Sequence, residues 1–224
     1  MIERKNKSTE PYLSPQLVLA LDIRRAVDPA FLRKMLLKKP FACVIIYDSQ
    51  GPQSDEVFLQ NSARLYADDI QNSGAALLIA DNSRIAGRIK ADGVHLEGDL
   101  DALKSLNKQK KEQKIVGVGN LRNRHCAMSV AENGADYLLF GKLGADKKPH
   151  AHPRNIQLAQ WWAEIMEIPA LIQAGSDPIT FEESLKTTCE FIVVEEMIFA
   201  HDDPLEVLDK VKKKCENYSL PTGM

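Results

Sequence analysis

The stretch ALLIADNSRIAGRIKADGVHLEG (76–98) holds the unit that decides the fold. Two apolar runs, ALLIAD (76–81) and GVHLEG (93–98), flank a short helix opening at Asn82 or Ser83. The same unit recurs on both sides. Upstream lie LVLALD (17–22) and CVIIYD (43–48); downstream lie IVGVGN (115–120), DYLLFGKL (136–143), PALIQAG (169–175) and FIVVEE (191–196). These runs are rich in Val, Ile and Leu and nearly unbroken by polar residues, as parallel strands covered on both faces must be.

Amphipathic segments lie between them. Asp28-Pro29 supplies an N-cap followed by a first-turn proline, and Pro40 closes that helix. Residues 54–72 place Leu59, Ala63, Tyr66, Ala67 and Ile70 on one face, with Gly74 as the stop. Residues 153–167 carry Leu158, Trp162 and Ile165 on one stripe, and the tandem tryptophans read as helix–sheet packing. The last helix opens at Asp203-Pro204 and turns Val207, Leu208, Val211 and Cys215 inward. Lys210, Lys212, Lys213 and Lys214 lie outside, a solvated face near the negative helix end.

Eight strands, each followed by a helix, leave a closed barrel or a doubly wound sheet. The 224 residues and a period of about 28 favour the barrel. The fold class is α/β, a single (β/α)₈ TIM barrel, with residues 1–14 expected to form an N-terminal arm. A net charge of −2, with 44% hydrophobic and 27% charged residues, gives no reason to expect nucleic acid or an anionic membrane as partner. No apolar run approaches the roughly 18 residues that span a bilayer, and the N-terminus lacks the apolar core of a signal peptide. Cys43, Cys126, Cys189 and Cys215 show no metal or redox spacing, so the expected compartment is the cytoplasm.

From residue 79 the pattern becomes more specific. IADNSRIAGRIKADGVHLEGD (79–99), KIVGVGN (114–120), AMSVAENGADYLLFGKL (127–143), IPALIQAG (168–175) and EFIVVEEMIFAHDDP (190–204) follow one another at near-correct spacing. Together they resemble the family of thiamine phosphate synthase and the thiazole tautomerase. The resemblance implies a (β/α)₈ barrel joining hydroxymethylpyrimidine diphosphate to thiazole phosphate. Pyrophosphate leaves, thiamine phosphate forms, and Mg²⁺ is the cofactor. The partners it implies are small-molecule thiamine precursors; a homodimer is expected only by analogy with barrels that pair through outer helices.

The resemblance also assigns roles to positions. Asp81 matches the family's first magnesium aspartate, and its plain alternative is a helix N-cap. The second metal carboxylate falls where HLGQ has become HLEG, so Glu97 or Asp99 is its only counterpart. His95 matches a substrate-side histidine, with a satisfied barrel-interior role as the bland reading. Gly119 and Gly175 fall at substrate-binding positions. Lys148 best matches the lysine that reaches the diphosphate, and Lys142 stands where the tautomerase has a histidine. Their alternative is a solvated rim charge. Two departures stand out. The second strand ends in IIYDSQG, with Asp48 and Gln50 and no cation, where the family grips the diphosphate. After the eighth strand, Glu195 and Glu196 replace a phosphate-binding serine and its neighbour. A carboxylate ~4 Å from a phosphate costs about 4 kcal/mol at an effective dielectric of about 20. That is roughly a thousandfold in affinity.

Three functions follow from these readings: a synthase with a rearranged site, a tautomerase-like enzyme using Lys142, and a binding or regulatory protein that kept only the scaffold.

Overall fold

The structure, a computed structural model, describes residues 14–51, 55–109 and 114–220. The first 13 residues, where the arm was expected, lie outside that range. All eight apolar runs are strands: β1 (Gln16–Asp22), β2 (Phe41–Tyr47), β3 (Ala76–Ala80), β4 (Gly93–Leu96), β5 (Ile115–Val118), β6 (Tyr137–Phe140), β7 (Ala170–Gln173) and β8 (Phe191–Val194). They pair in parallel in sequence order, and β8 returns to β1 to close the barrel. The doubly wound alternative is therefore excluded.

Helices pack around this cylinder: α1 (Pro29–Leu37), α2 (Glu56–Asn72), α3 (Ser83–Arg88), α4 (Leu100–Gln109), α5 (Arg124–Glu132), α6 (Pro153–Ile165), α7 (Phe181–Leu185), α8 (Glu196–Phe199) and α9 (Pro204–Glu216). Their starts follow the expected chemistry. The carboxylates of Asp28, Asp55 and Asp203 accept backbone N–H groups at the openings of α1, α2 and α9. The inward stripe of α2 is buried as expected, and so is that of α9. On α6, Leu158 and Trp162 are buried, but Ile165 is 57% exposed because the helix ends there and turns it outward. Asp81 is not the cap of α3: Asn82 is, its side chain accepting the N–H of Ile85.

Two apolar layers result. The larger lies between strands and helices and includes Leu19, Ile46, Leu77, Phe140 and Trp162. The smaller fills the barrel itself, with Val18, Ile45, Leu78, Leu139, Leu171 and Val193. Period-two alternation sends every second strand residue to the axis. Continued past each strand's last apolar residue, it brings polar groups together at the carboxyl end. That end is where barrels of this class place their sites.

Candidate active site

Glu195 follows β8 on the inward side and is fully buried. Its carboxylate accepts three hydrogen bonds: from Tyr47 Oη at 2.6 Å, Arg25 Nε at 3.1 Å and the backbone N–H of Asp22 at 3.2 Å. Burial pushes its pKa up to about 7. Tyr47 and Arg25 pull the other way, and Asp146 adds to the rise. Glu196 starts α8 and takes Arg25 Nη2 at 2.6 Å and the ammonium of Lys147. Against the upward push of burial, these two cations hold Glu196 below its usual carboxylate range. The adjoining glutamates do not turn away from the mouth. They are neutralised within the chain.

Arg25 and its neighbour Arg24 lie on a 3-10 turn (Ile23–Arg25) directly after β1. Arg24 forks onto Asp48 at 2.8 and 2.6 Å and lies 4.2 Å over the ring of Phe58. A cation does therefore reach the end of β2, contrary to the sequence expectation, but it comes from β1. The sequence signal was two arginines immediately past a strand end.

Asp146, in the loop after β6, is 5% exposed. Its Oδ2 accepts the N–H of Glu196 at 2.9 Å, while Oδ1 is buried with no hydrogen-bond partner. Burial raises its pKa, with Glu196 adding to the rise. The same loop folds over β7. The N–H groups of Ser176 and Asp177 donate to the carbonyls of Lys148 and Pro149 at 2.8 and 3.2 Å. Gly175 is required there, since a Cβ would lie 2.0 Å from the carbonyl oxygen of Pro149. Lys142 and Lys148 keep exposed side chains on this loop.

On the opposite wall His95 is fully buried. Its Nδ1 is 2.8 Å from Tyr137 Oη and its Nε2 is 3.3 Å from Glu97 Oε1. Gly119 lies against it, where a Cβ would sit 2.7 Å from Nε2. Glu97 turns inward and accepts the N–H of Leu143 at 3.2 Å, leaving Oε2 buried and unpartnered. Gln173, at the end of β7, accepts the N–H of Lys142 at 2.7 Å and has an unpartnered Nε2. Tyr47, Asp146 and Gln173 were not singled out from the sequence. They sit inside apolar or loop runs where nothing but strand parity marks them.

Asp81 remains accessible at the end of β3, with a left-handed backbone (φ 52°) of the kind that clusters at functional sites. Its Oδ1 accepts the N–H of Glu97 at 2.9 Å. Loss of surrounding water raises its pKa, and Glu97 and Asp99 add to the rise. Asp99 caps α4 through the N–H of Ala102. Among the described residues no group of three or more His, Cys, Asp or Glu side chains converges as metal ligands do. Glu97 and Asp99 both act on Asp81 through space, Glu97 the more strongly.

The family described as thiamine monophosphate synthase matches residues 28–198. A thiamine-phosphate synthase from Erythrobacter litoralis is 30% identical over 131 residues, covering 57% of this chain and 62% of that protein. One from Hyphomonas neptunium is 28% identical over 134 residues, 59% of this chain and 61% of the relative. The chain thus spans less than two thirds of the length of either relative. Among solved structures, the thiamine phosphate pyrophosphorylase of Pyrococcus furiosus superposes with a TM-score of 0.75 at 17% identity, covering 91% of this chain and 96% of the other. That likeness establishes the fold.

Proposed function

Because this chain belongs to the thiamine monophosphate synthase family, we propose that it works on small-molecule thiamine precursors at the carboxyl end of its barrel, by the family's reaction. The observation that carries the reading is the family match over 28–198, which spans both walls of the mouth. The methylene carbon of hydroxymethylpyrimidine loses its C–O bond to the diphosphate, and the electron pair leaves with pyrophosphate. The lone pair of the thiazole ring nitrogen forms the new C–N bond, which leaves the ring cationic. With thiazole phosphate as acceptor the product is thiamine phosphate.

Mg²⁺ belongs to this proposal, held by Asp81 and Asp99. One or two carboxylates together with substrate phosphates are the usual protein share of such a site. The ion supplies charge neutralisation for the departing diphosphate. His95, fixed between Tyr137 and Glu97, orients the inner wall against which a flat heterocycle packs. Lys142 and Lys148, exposed on the rim, supply cations for the diphosphate. Arg25 and Tyr47 hold the proton-sharing carboxylate of Glu195. No described helix is long and apolar enough to cross a membrane; a cytoplasmic location and pairing of two barrels through outer helices are parts of the same proposal.

One observation favours a second reading, a binding protein without turnover: carboxylates of the chain fill the region after β6 and β8. Pyrophosphate release from hydroxymethylpyrimidine diphosphate, with a thiazole acceptor and Mg²⁺, separates the two. Release that depends on acceptor and on Asp81 supports the enzyme. Its absence from folded protein supports the binding protein.

A further inference from the structure

We infer that this barrel takes its thiazole-side ligand without a phosphate, as a neutral or cationic hydrogen-bond donor; the inference rests on the proposed function and concerns the same site. TIM barrels commonly hold phosphate with backbone N–H groups of the loops after the seventh and eighth strands. In this chain several of those groups are already occupied. Ser176 and Asp177 donate to the carbonyls of Lys148 and Pro149, and Glu196 donates to the carboxylate of Asp146. Ile198 and Phe199 donate to the carbonyl of Glu195. Asp146 thus stands where an anionic ligand would accept from Glu196.

The cations nearest this region are committed as well. Arg25 bridges Glu195 and Glu196, and Lys147 closes on Glu196. An incoming phosphate would meet Asp146, Glu195 and Glu196 and find two cations already paired with them. Each pair would have to break before either cation served the ligand.

Among the polar groups left unsatisfied at the mouth, Gln173 Nε2 is a donor and two others are acceptors. Asp146 Oδ1 is buried in a side chain only 5% exposed and has no hydrogen-bond partner. A buried acceptor without a donor is unfavourable, so such groups in native proteins point to a missing partner. A hydroxyl or an ammonium group supplies one; a phosphate dianion does not. On the facing wall Glu97 Oε2 is a second such acceptor. Both ask for a donor-bearing ligand.

Isothermal calorimetry on the full chain at pH 8 tests this with three probes: hydroxyethylthiazole, its phosphate ester and inorganic phosphate. Binding of the alcohol, with the ester at least ~100-fold weaker, is the expected result; that ratio is smaller than a bare carboxylate would give because Arg25 and Lys147 compensate in part. Ester binding as tight as the alcohol, inorganic phosphate competing with the alcohol, or no binding of the alcohol would each overturn the inference. Asp146→Ser should narrow the ratio by roughly tenfold, leaving one fewer like charge beside the ester. The comparison on the unaltered chain stands even if that variant misfolds. Pyrophosphate release with thiazole phosphate as the better acceptor would leave the proposed function intact and refute this inference. Absence of release with either acceptor, alongside preferential alcohol binding, would refute the proposed function instead.

Discussion

The carboxylates at the barrel mouth fall into two groups with opposite surroundings. At the ends of β3 and β4, Asp81 and Asp99 are accessible and hold only backbone N–H groups. At the ends of β6 and β8, Asp146 and Glu195 are buried, and arginine, tyrosine and lysine are drawn in around Glu195 and Glu196. The first group can meet a cation at little cost to the fold. The second group is part of the fold, and its charge is balanced from within. One rim of the barrel thus presents accessible carboxylates, while the other buries carboxylates paired with the chain's own cations.

Removing the internal cation should separate the two rims most sharply. Arg25→Ala leaves Glu195 and Glu196 short of their partner and should cost ~2–3 kcal/mol in urea unfolding, since breaking a partly buried ion pair strands the opposite charge. A cost within experimental error of zero would break the distinction between the rims.

Next in size is a pH effect at Glu195. Its pKa is raised from 4.5 to about 7, so the folded state holds this proton more tightly than the unfolded state. Stability from that proton is full below about pH 4.5 and is lost as pH rises through 7, with an upper bound on the order of 3 kcal/mol. Glu195→Gln abolishes this loss. The unfolding free energy of the variant should therefore rise relative to the parent between pH 5 and pH 8; a difference that is flat across that interval contradicts the buried, proton-sharing carboxylate.

Smaller again is Tyr47→Phe, which deletes one hydrogen bond to Glu195 and should cost about 1 kcal/mol. It should also raise the midpoint of Glu195 further, readable in a carboxyl NMR titration. The smallest stability effect belongs to the other rim. Asp81→Asn should stay within ~0.5 kcal/mol of the parent, as surface substitutions do, while lowering pyrophosphate release at least tenfold if Asp81 holds Mg²⁺. A large loss of stability there would make Asp81 structural after all.

The strands were legible because a strand buried on both faces needs an unbroken run of Val, Ile and Leu, and this chain has eight. Helix openings were legible from Asp-Pro pairs, though at α3 the cap proved to be Asn82 because Asp81 is drawn to the N–H of Glu97. The mouth was legible one residue at a time and not as a set. Glu195 and Glu196 stood out by departing from the family pattern, but their partners did not. Arg25 lies 170 positions from Glu195, and Tyr47 lies 148 positions away. Only closure of β8 onto β1 brings them together, and local periodicity carries no trace of such a contact. Asp146 was hidden for a different reason: its neighbours Lys147 and Lys148 drew attention as cations, while the buried acid between them and the barrel does the neutral-looking work of a backbone cap.

The most direct test gives the purified chain hydroxymethylpyrimidine diphosphate, Mg²⁺ and an equimolar mixture of hydroxyethylthiazole and its phosphate, then weighs the product by mass spectrometry. A barrel whose rim after β6 and β8 is filled by its own paired carboxylates should yield mainly the product without a phosphate. Product formed only from the phosphorylated thiazole would contradict the account.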